Sequence, residues 1–354
     1  MHNNQNHQPG FNQAPPSYNP QPGYQNADQF EKKFAAPKAL PSLKPTKESD
    51  PAADATLIHK AFSGIGSDWE VIMKVLTHRT SVQRQKLKEA YWNCFQKSLI
   101  ERTKQEFTDP LEHIAVALEH GGPDMDAYLL HKAITGLGTD EAALINILCT
   151  RSGAQIKAIN ESYKRLFKTT LLSDVKSDAS GKFEDLLCHL ITIPREDNKI
   201  ADTKLADKHV SELYTRKSIQ MSLPESLIPI FGTCSNDQIR LTMKRFQETN
   251  SKPLADWIQE HKGGYYEKAL LAICHFVENP IRYFSTHLKK GIDKVNFTTV
   301  IRVICTRCEV DLATILQDYQ VTNKSTAEED ISRVFESKHK KAVASLKMLM
   351  GCIQ

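Results

Sequence analysis

The chain has 354 residues, is 40% hydrophobic and 25% charged, and carries a formal net charge of +4. This balance is ordinary for a globular protein of one large domain or two to four smaller units, and the charge is too small to single out nucleic acid as a partner. No stretch approaches the roughly 18 consecutive apolar residues of a membrane-spanning helix, and Met1-His2-Asn3-Asn4-Gln5 shows no signal-peptide pattern, so a cytoplasmic protein is the expectation.

Residues 1–50 stand apart from the rest. No residue from Met1 to Ala27 is formally charged, and Asn, Gln, Pro, Gly and Tyr dominate. Pieces such as Pro15-Pro16-Ser17-Tyr18-Asn19-Pro20 offer too little apolar surface to offset the entropy lost on ordering, so a disordered tail is expected. Its tyrosines and prolines leave two readings open: a segment that binds a protein partner or self-associates, and a passive tail.

From residue 51 the chain repeats itself. Asp54-Ala-Thr-Leu-Ile-His-Lys-Ala-Phe-Ser-Gly-Ile-Gly-Ser-Asp68 returns 72 residues later as Asp126-Ala-Tyr-Leu-Leu-His-Lys-Ala-Ile-Thr-Gly-Leu-Gly-Thr-Asp140, with nine of fifteen positions identical. Arg79 and Arg151 share that offset, and weaker copies place Cys234 and Arg307 at the same point. Four units follow: 51–122, 123–195, 196–280 (a longer connection plus the third unit) and 281–354. Within the second, Ile156, Ile159, Tyr163 and Leu166, then Phe183, Leu186, Leu187 and Leu190, step at helical spacing. Breaks at 136–139, 152–153, 168–170 and 180–181 divide it into about five short helices, and Ser67 with Glu70 reads as a capping box after the first glycine loop. No alternating strand pattern occurs, so the fold class is all-α.

The chemistry lies in the paired loops Gly64-Ile65-Gly66 and Gly136-Leu137-Gly138. Glycine accepts backbone angles that turn several carbonyls toward one point, and calcium, a hard cation, seeks six to eight oxygens. Each loop has an acid at one fixed distance: Glu106 lies 40 residues after Gly66, and Asp178 lies 40 after Gly138.

Four units of this length, the segment Ile134-Thr-Gly-Leu-Gly-Thr-Asp-Glu141 with Cys149-Thr-Arg-Ser152 after it, and the distant acid resemble the annexin family over residues 51–354. The resemblance implies four repeats in one curved, disc-like core and calcium-dependent binding to acidic phospholipid membranes. By that resemblance, calcium ligands are the carbonyls of Phe62, Gly64 and Gly66 with the carboxylate of Glu106 in unit one. In unit two they are Ile134, Gly136, Gly138 and Asp178. The loop tips Ile65 and Leu137 are expected to touch the membrane, lipid phosphate to complete the calcium shell, and Thr139 with Glu141 to offer an accessory position. The family pattern leaves open unconventional secretion and self-association on membranes. Units three and four depart from the pattern: Ile219-Gln-Met-Ser-Leu-Pro224 lacks glycine and its anchor falls on His261, while Lys290-Gly-Ile-Asp-Lys294 has one glycine and its anchor falls near Val334. No ligands are expected there beyond an irregular contribution from Asp293 or Glu336.

Two other classes compete. One is a calcium-independent helical scaffold working through protein partners, which the later units and the tail favour. The other is an enzyme. Ser180-Gly181-Lys182 looks like the end of a phosphate loop, but Lys176 stands where the upstream glycine belongs, and no Gly-x-Ser-x-Gly or His-Glu-x-x-His occurs. No catalytic role is therefore assigned. His59 and His131 are expected to be structural or surface groups. The eight scattered cysteines read as reduced core thiols, including the Cys305-x-x-Cys308 pair, which has no second pair at zinc-finger spacing.

Overall fold

Helices account for all the regular structure in the computed structural model, which describes residues 39–64, 66–136, 138–197, 199–215, 222–261 and 263–352. The N-terminal residues read as a tail (1–38) and the loop tips Ile65 and Leu137 lie outside the described residues. Unit one comprises α1 (Pro51–Ala61), α2 (Trp69–Thr77), α3 (Ser81–Phe95), α4 (Leu99–Glu106) and α5 (Leu111–His120). Unit two repeats the series as α6 (Gly122–Thr135), α7 (Glu141–Leu148), α8 (Gly153–Phe167), α9 (Leu171–Asp178) and α10 (Gly181–Thr192). Unit three holds α11 (Thr203–Thr215), α12 (Leu227–Thr233), α13 (Asn236–Asn250), α14 (Leu254–Glu260) and α15 (Gly264–Glu278). Unit four holds α16 (Pro280–Asp293), α17 (Phe297–Arg307), α18 (Leu312–Asn323) and α19 (Ala327–Met350). The last of these, α19, joins two helical segments bent at His339, whose backbone leaves the helical region.

The same local devices recur. The third helix of units one and two opens on a capping box, Thr80 with Gln83 and Ser152 with Gln155, and Ser235 caps the third helix of unit three. These third helices all end on a left-handed residue that is not glycine: Gln96, Lys168, Ser251 and Lys324. The cap expected at Ser67 falls one residue later. Asp68 is the N-cap of α2, its carboxylate accepting from the Val71 amide at 3.3 Å, because that spacing matches the third free amide of the helix.

Arg79 and Arg151 hold the first two units together internally. Arg151 grips Asp126 through two bonds of 2.7 and 2.9 Å, and Arg79 grips Asp54 at 2.7 and 2.8 Å. Arg307 does the same to Asp311 in unit four, whereas the equivalent Cys234 is a buried thiol. Charged pairs also lock units to one another. Arg84, buried in unit one, meets Glu309 of unit four at 2.6 Å, and Arg302 of unit four meets Asp140 of unit two at 3.0 Å.

Residues 39–50, expected as part of a disordered tail, cross the molecule instead. The Leu43 amide bonds the Cys308 carbonyl at 2.9 Å, and the Thr46 hydroxyl bonds the His78 carbonyl at 2.7 Å, so this segment straps unit four to unit one. Burial of Leu43 supplies the apolar anchor that the composition of the preceding residues lacks.

Candidate calcium sites

Both glycine loops are closed by one long-reaching backbone bond. Asp68 N–H reaches the Ala61 carbonyl at 2.9 Å in unit one, and Asp140 N–H reaches the Ala133 carbonyl at 2.9 Å in unit two. Within each loop the second glycine is left-handed, φ being +78° at Gly66 and +83° at Gly138, which a side chain would strain. The first glycine lies close to the second, more tightly in unit one than in unit two. A Cβ on Gly64 would stand 3.2 Å from the Gly66 carbonyl oxygen, and one on Gly136 would stand 3.5 Å from that of Gly138. Phe62 caps α1 with its ring buried, and Ile134 lies half-buried in the last turn of α6, so both carbonyls sit at helix ends.

Asp178 ends α9 within unit two. It borders a cavity of about 320 Å³ together with Glu141, Lys182, Leu223 and Tyr265. Lys182 donates to the Leu223 carbonyl at 2.7 Å, and the Tyr265 hydroxyl donates to Glu141, the residue expected at the accessory position. One carboxylate oxygen of Asp178, Oδ2, is buried with no hydrogen-bond partner. A buried carboxylate oxygen with nothing to accept from is costly, and that cost disappears when a cation sits against it. Glycine-loop carbonyls and a single anionic ligand suit a hard cation such as calcium, so the residues of unit two fit the ion.

Unit one carries a basic residue next to its acid. Glu106 ends α4, and Arg102 stands one helical turn before it. The Arg102 Nη2 lies 2.8 Å from Glu106 Oε1 and donates to the Phe62 carbonyl at 3.1 Å, while the guanidinium carbon lies 5.6 Å from the centre of the Phe62 ring. One nitrogen thus joins the carboxylate and a loop carbonyl that were both assigned to calcium. In unit two the matching position is Asp174, which accepts from the Tyr163 hydroxyl at 2.8 Å and the Thr169 hydroxyl at 2.9 Å.

Among the described residues, the other units lack this arrangement. In unit three, residues 219–221 lie outside the described residues, Leu223 is buried, and the His261 ring packs on Trp257 with Nδ1 2.7 Å from the Trp257 carbonyl. In unit four, α16 runs on to Asp293, the chain turns through Lys294 and Val295, and the Asn296 amide bonds the Gly291 carbonyl at 2.8 Å. Gly291 is a packing position against Thr299 and Val300 rather than a loop residue. Asp293 pairs with Lys289, and Glu336 with Lys347 at 3.4 Å. His59 and His131 stack on Phe95 and Phe167 at 3.8 and 3.7 Å, as structural groups do. Cys305 and Cys308 are buried, and burial pushes the Cys305 thiol up to about 12.

A family model described as Annexin matches residues 53–118, 125–190, 224–273 and 283–346. Annexin A13 of Canis lupus familiaris is 35% identical over 270 residues, covering 75% of this chain and 85% of that protein. Annexin A3 of Mus musculus is 32% identical over 274 residues, covering 76% and 84%. Among solved structures, that of annexin III aligns with a TM-score of 0.83 at 27% identity, covering 90% of this chain and 98% of the other. A calcium-bound annexin (Sm)1 aligns with a TM-score of 0.78 at 22% identity, covering 93% and 97%, and shares the fold.

Proposed function

This chain belongs to the annexin family, whose members bind acidic phospholipid membranes in a calcium-dependent manner, and we propose that it does so through its first two units. In this reading the carbonyls of Ile134, Gly136 and Gly138 and the carboxylate of Asp178 hold calcium in unit two. Phe62, Gly64, Gly66 and Glu106 form the corresponding set in unit one. The observation that carries the reading is the buried, unpartnered Oδ2 of Asp178, the acid that lies 40 residues after the left-handed Gly138. Calcium when bound supplies positive charge with open coordination positions for lipid phosphate oxygens.

The chain's own contribution is placement. Left-handed glycines hold the loop shape, the Asp68 and Asp140 backbone bonds close it, and the helix ends keep each carboxylate in register. One carboxylate per site is a small charge count, so affinity in the absence of lipid is weak, and lipid and ion strengthen one another by linkage. Two sites on one body add avidity. Ile65 and Leu137 are the residues we assign to apolar contact with the interface, each adding roughly 1–3 kcal/mol at most. No helix of the described residues is long and apolar enough to cross a membrane, so engagement is peripheral. The tail is left to protein contact or self-association, and a catalytic role is not part of the reading.

Co-sedimentation with phosphatidylserine-containing vesicles tests it. The protein should pellet with vesicles in calcium and stay in the supernatant in chelator. Equal pelleting in both would instead favour the calcium-independent scaffold.

A further inference from the structure

We propose that Arg102 is a tethered cation that keeps the unit-one site closed, so that calcium fills unit two first and enters unit one only by displacing the guanidinium. The inference rests on the calcium reading of the two loops. Three contacts place Arg102 where the ion belongs: Glu106 at 2.8 Å, the Phe62 carbonyl at 3.1 Å, and the Phe62 ring beneath the guanidinium. A guanidinium and a calcium ion cannot share the same two oxygens, because like charges at that range repel strongly. The two are therefore alternatives.

The contacts are firm enough to matter and open enough to exchange. The side chains of Arg102 and Glu106 are 33% and 23% exposed, so solvent and ions reach the pair. Their attachment to adjacent turns of one helix lets the guanidinium swing out without unfolding α4. Unit two has nothing comparable. Asp174 at the matching position is held inward by Tyr163 and Thr169, and Asp178 Oδ2 has no partner at all. Among the differences between the two parallel sites, Arg102 in place of Asp174 is the one that puts a cation on the proposed ligands, and that difference sets an order of filling.

Calorimetric calcium titration of the full chain without lipid is the test, since it reads ion binding directly. Asp178→Ala removes unit two and leaves unit one to be measured alone. Adding Arg102→Gln, which keeps most of the side chain and drops its charge, should tighten the remaining binding about tenfold, as expected for loss of one charge-assisted contact discounted for exposure. If the Asp178→Ala protein binds too weakly to detect, heat appearing on addition of Arg102→Gln is the same result. Unchanged affinity, or continued absence of heat, would overturn the proposal. A third protein separates this failure from failure of the underlying reading. Glu106→Gln in the Asp178→Ala background should abolish what binding remains, and binding that survives it places the ion elsewhere and sinks both ideas. Melting of each variant in chelator checks that the fold is retained.

Discussion

Glu119, on α5, gives the fold a pH dependence that a single substitution should remove. The side chain is 1% exposed, Oε1 accepts from the Thr103 hydroxyl at 2.6 Å, and Oε2 has no partner. Burial raises its pKa from 4.5 to about 7, against the opposing pull of the Thr103 bond and of Lys88. A carboxyl whose folded pKa lies above its unfolded value favours the folded state most when protonated. Its contribution is therefore complete below about pH 4.5 and is lost as pH rises through about 7. Integrated between about pH 5 and pH 8, the loss is about 2–3 kcal/mol. Glu119→Gln keeps the shape and the acceptor for Thr103 but cannot ionise. Its fixed cost, whatever the size, does not vary with pH. His113, which burial holds down to about 4, titrates in the opposite sense but is common to both proteins and cancels in their difference. Urea denaturation of both proteins across this range should show the variant gaining on the wild type by about 2–3 kcal/mol from acid to alkaline pH. A difference that stays flat would refute a buried, neutral Glu119.

Other expectations follow from single contacts. Asp126→Ala leaves the buried Arg151 without the carboxylate that grips it twice, and should cost about 3–5 kcal/mol by urea denaturation; a loss below about 1 kcal/mol would mean the pair is not structural. Gly138→Ala has open space for its methyl group but a left-handed backbone at φ +83°. It should cost about 1–2 kcal/mol and weaken calcium binding in titrations; unchanged binding would argue that this loop is not the site.

Much of this structure was legible in the sequence, for reasons that differ residue by residue. Repetition exposed the four units because Asp54, Gly64 and Asp68 reappear at one offset, and helical stepping gave the fold class. The glycine loops were visible because the left-handed backbone at Gly66 and Gly138 admits few other residues. Capping by Asp68 was misread by one residue, since Ser67 with Glu70 satisfies the same pattern. Left-handed helix ends at Gln96, Lys168, Ser251 and Lys324 carry no glycine to mark them, although they recur at the spacing of the units. Arg102 with Glu106 looks in sequence like any helical surface pair; only folding brings the Phe62 carbonyl to the same nitrogen. Contacts such as Tyr265 on Glu141, or Leu43 on Cys308, join distant segments and leave no local trace.

The central claim is that calcium and lipid meet at the two loops through Glu106 and Asp178. Vesicle co-sedimentation of the Glu106→Ala, Asp178→Ala double variant, with circular dichroism to verify its helices, tests that most directly. The account predicts a folded protein that stays in the supernatant whether calcium is present or not. Calcium-dependent pelleting retained by that variant would contradict it.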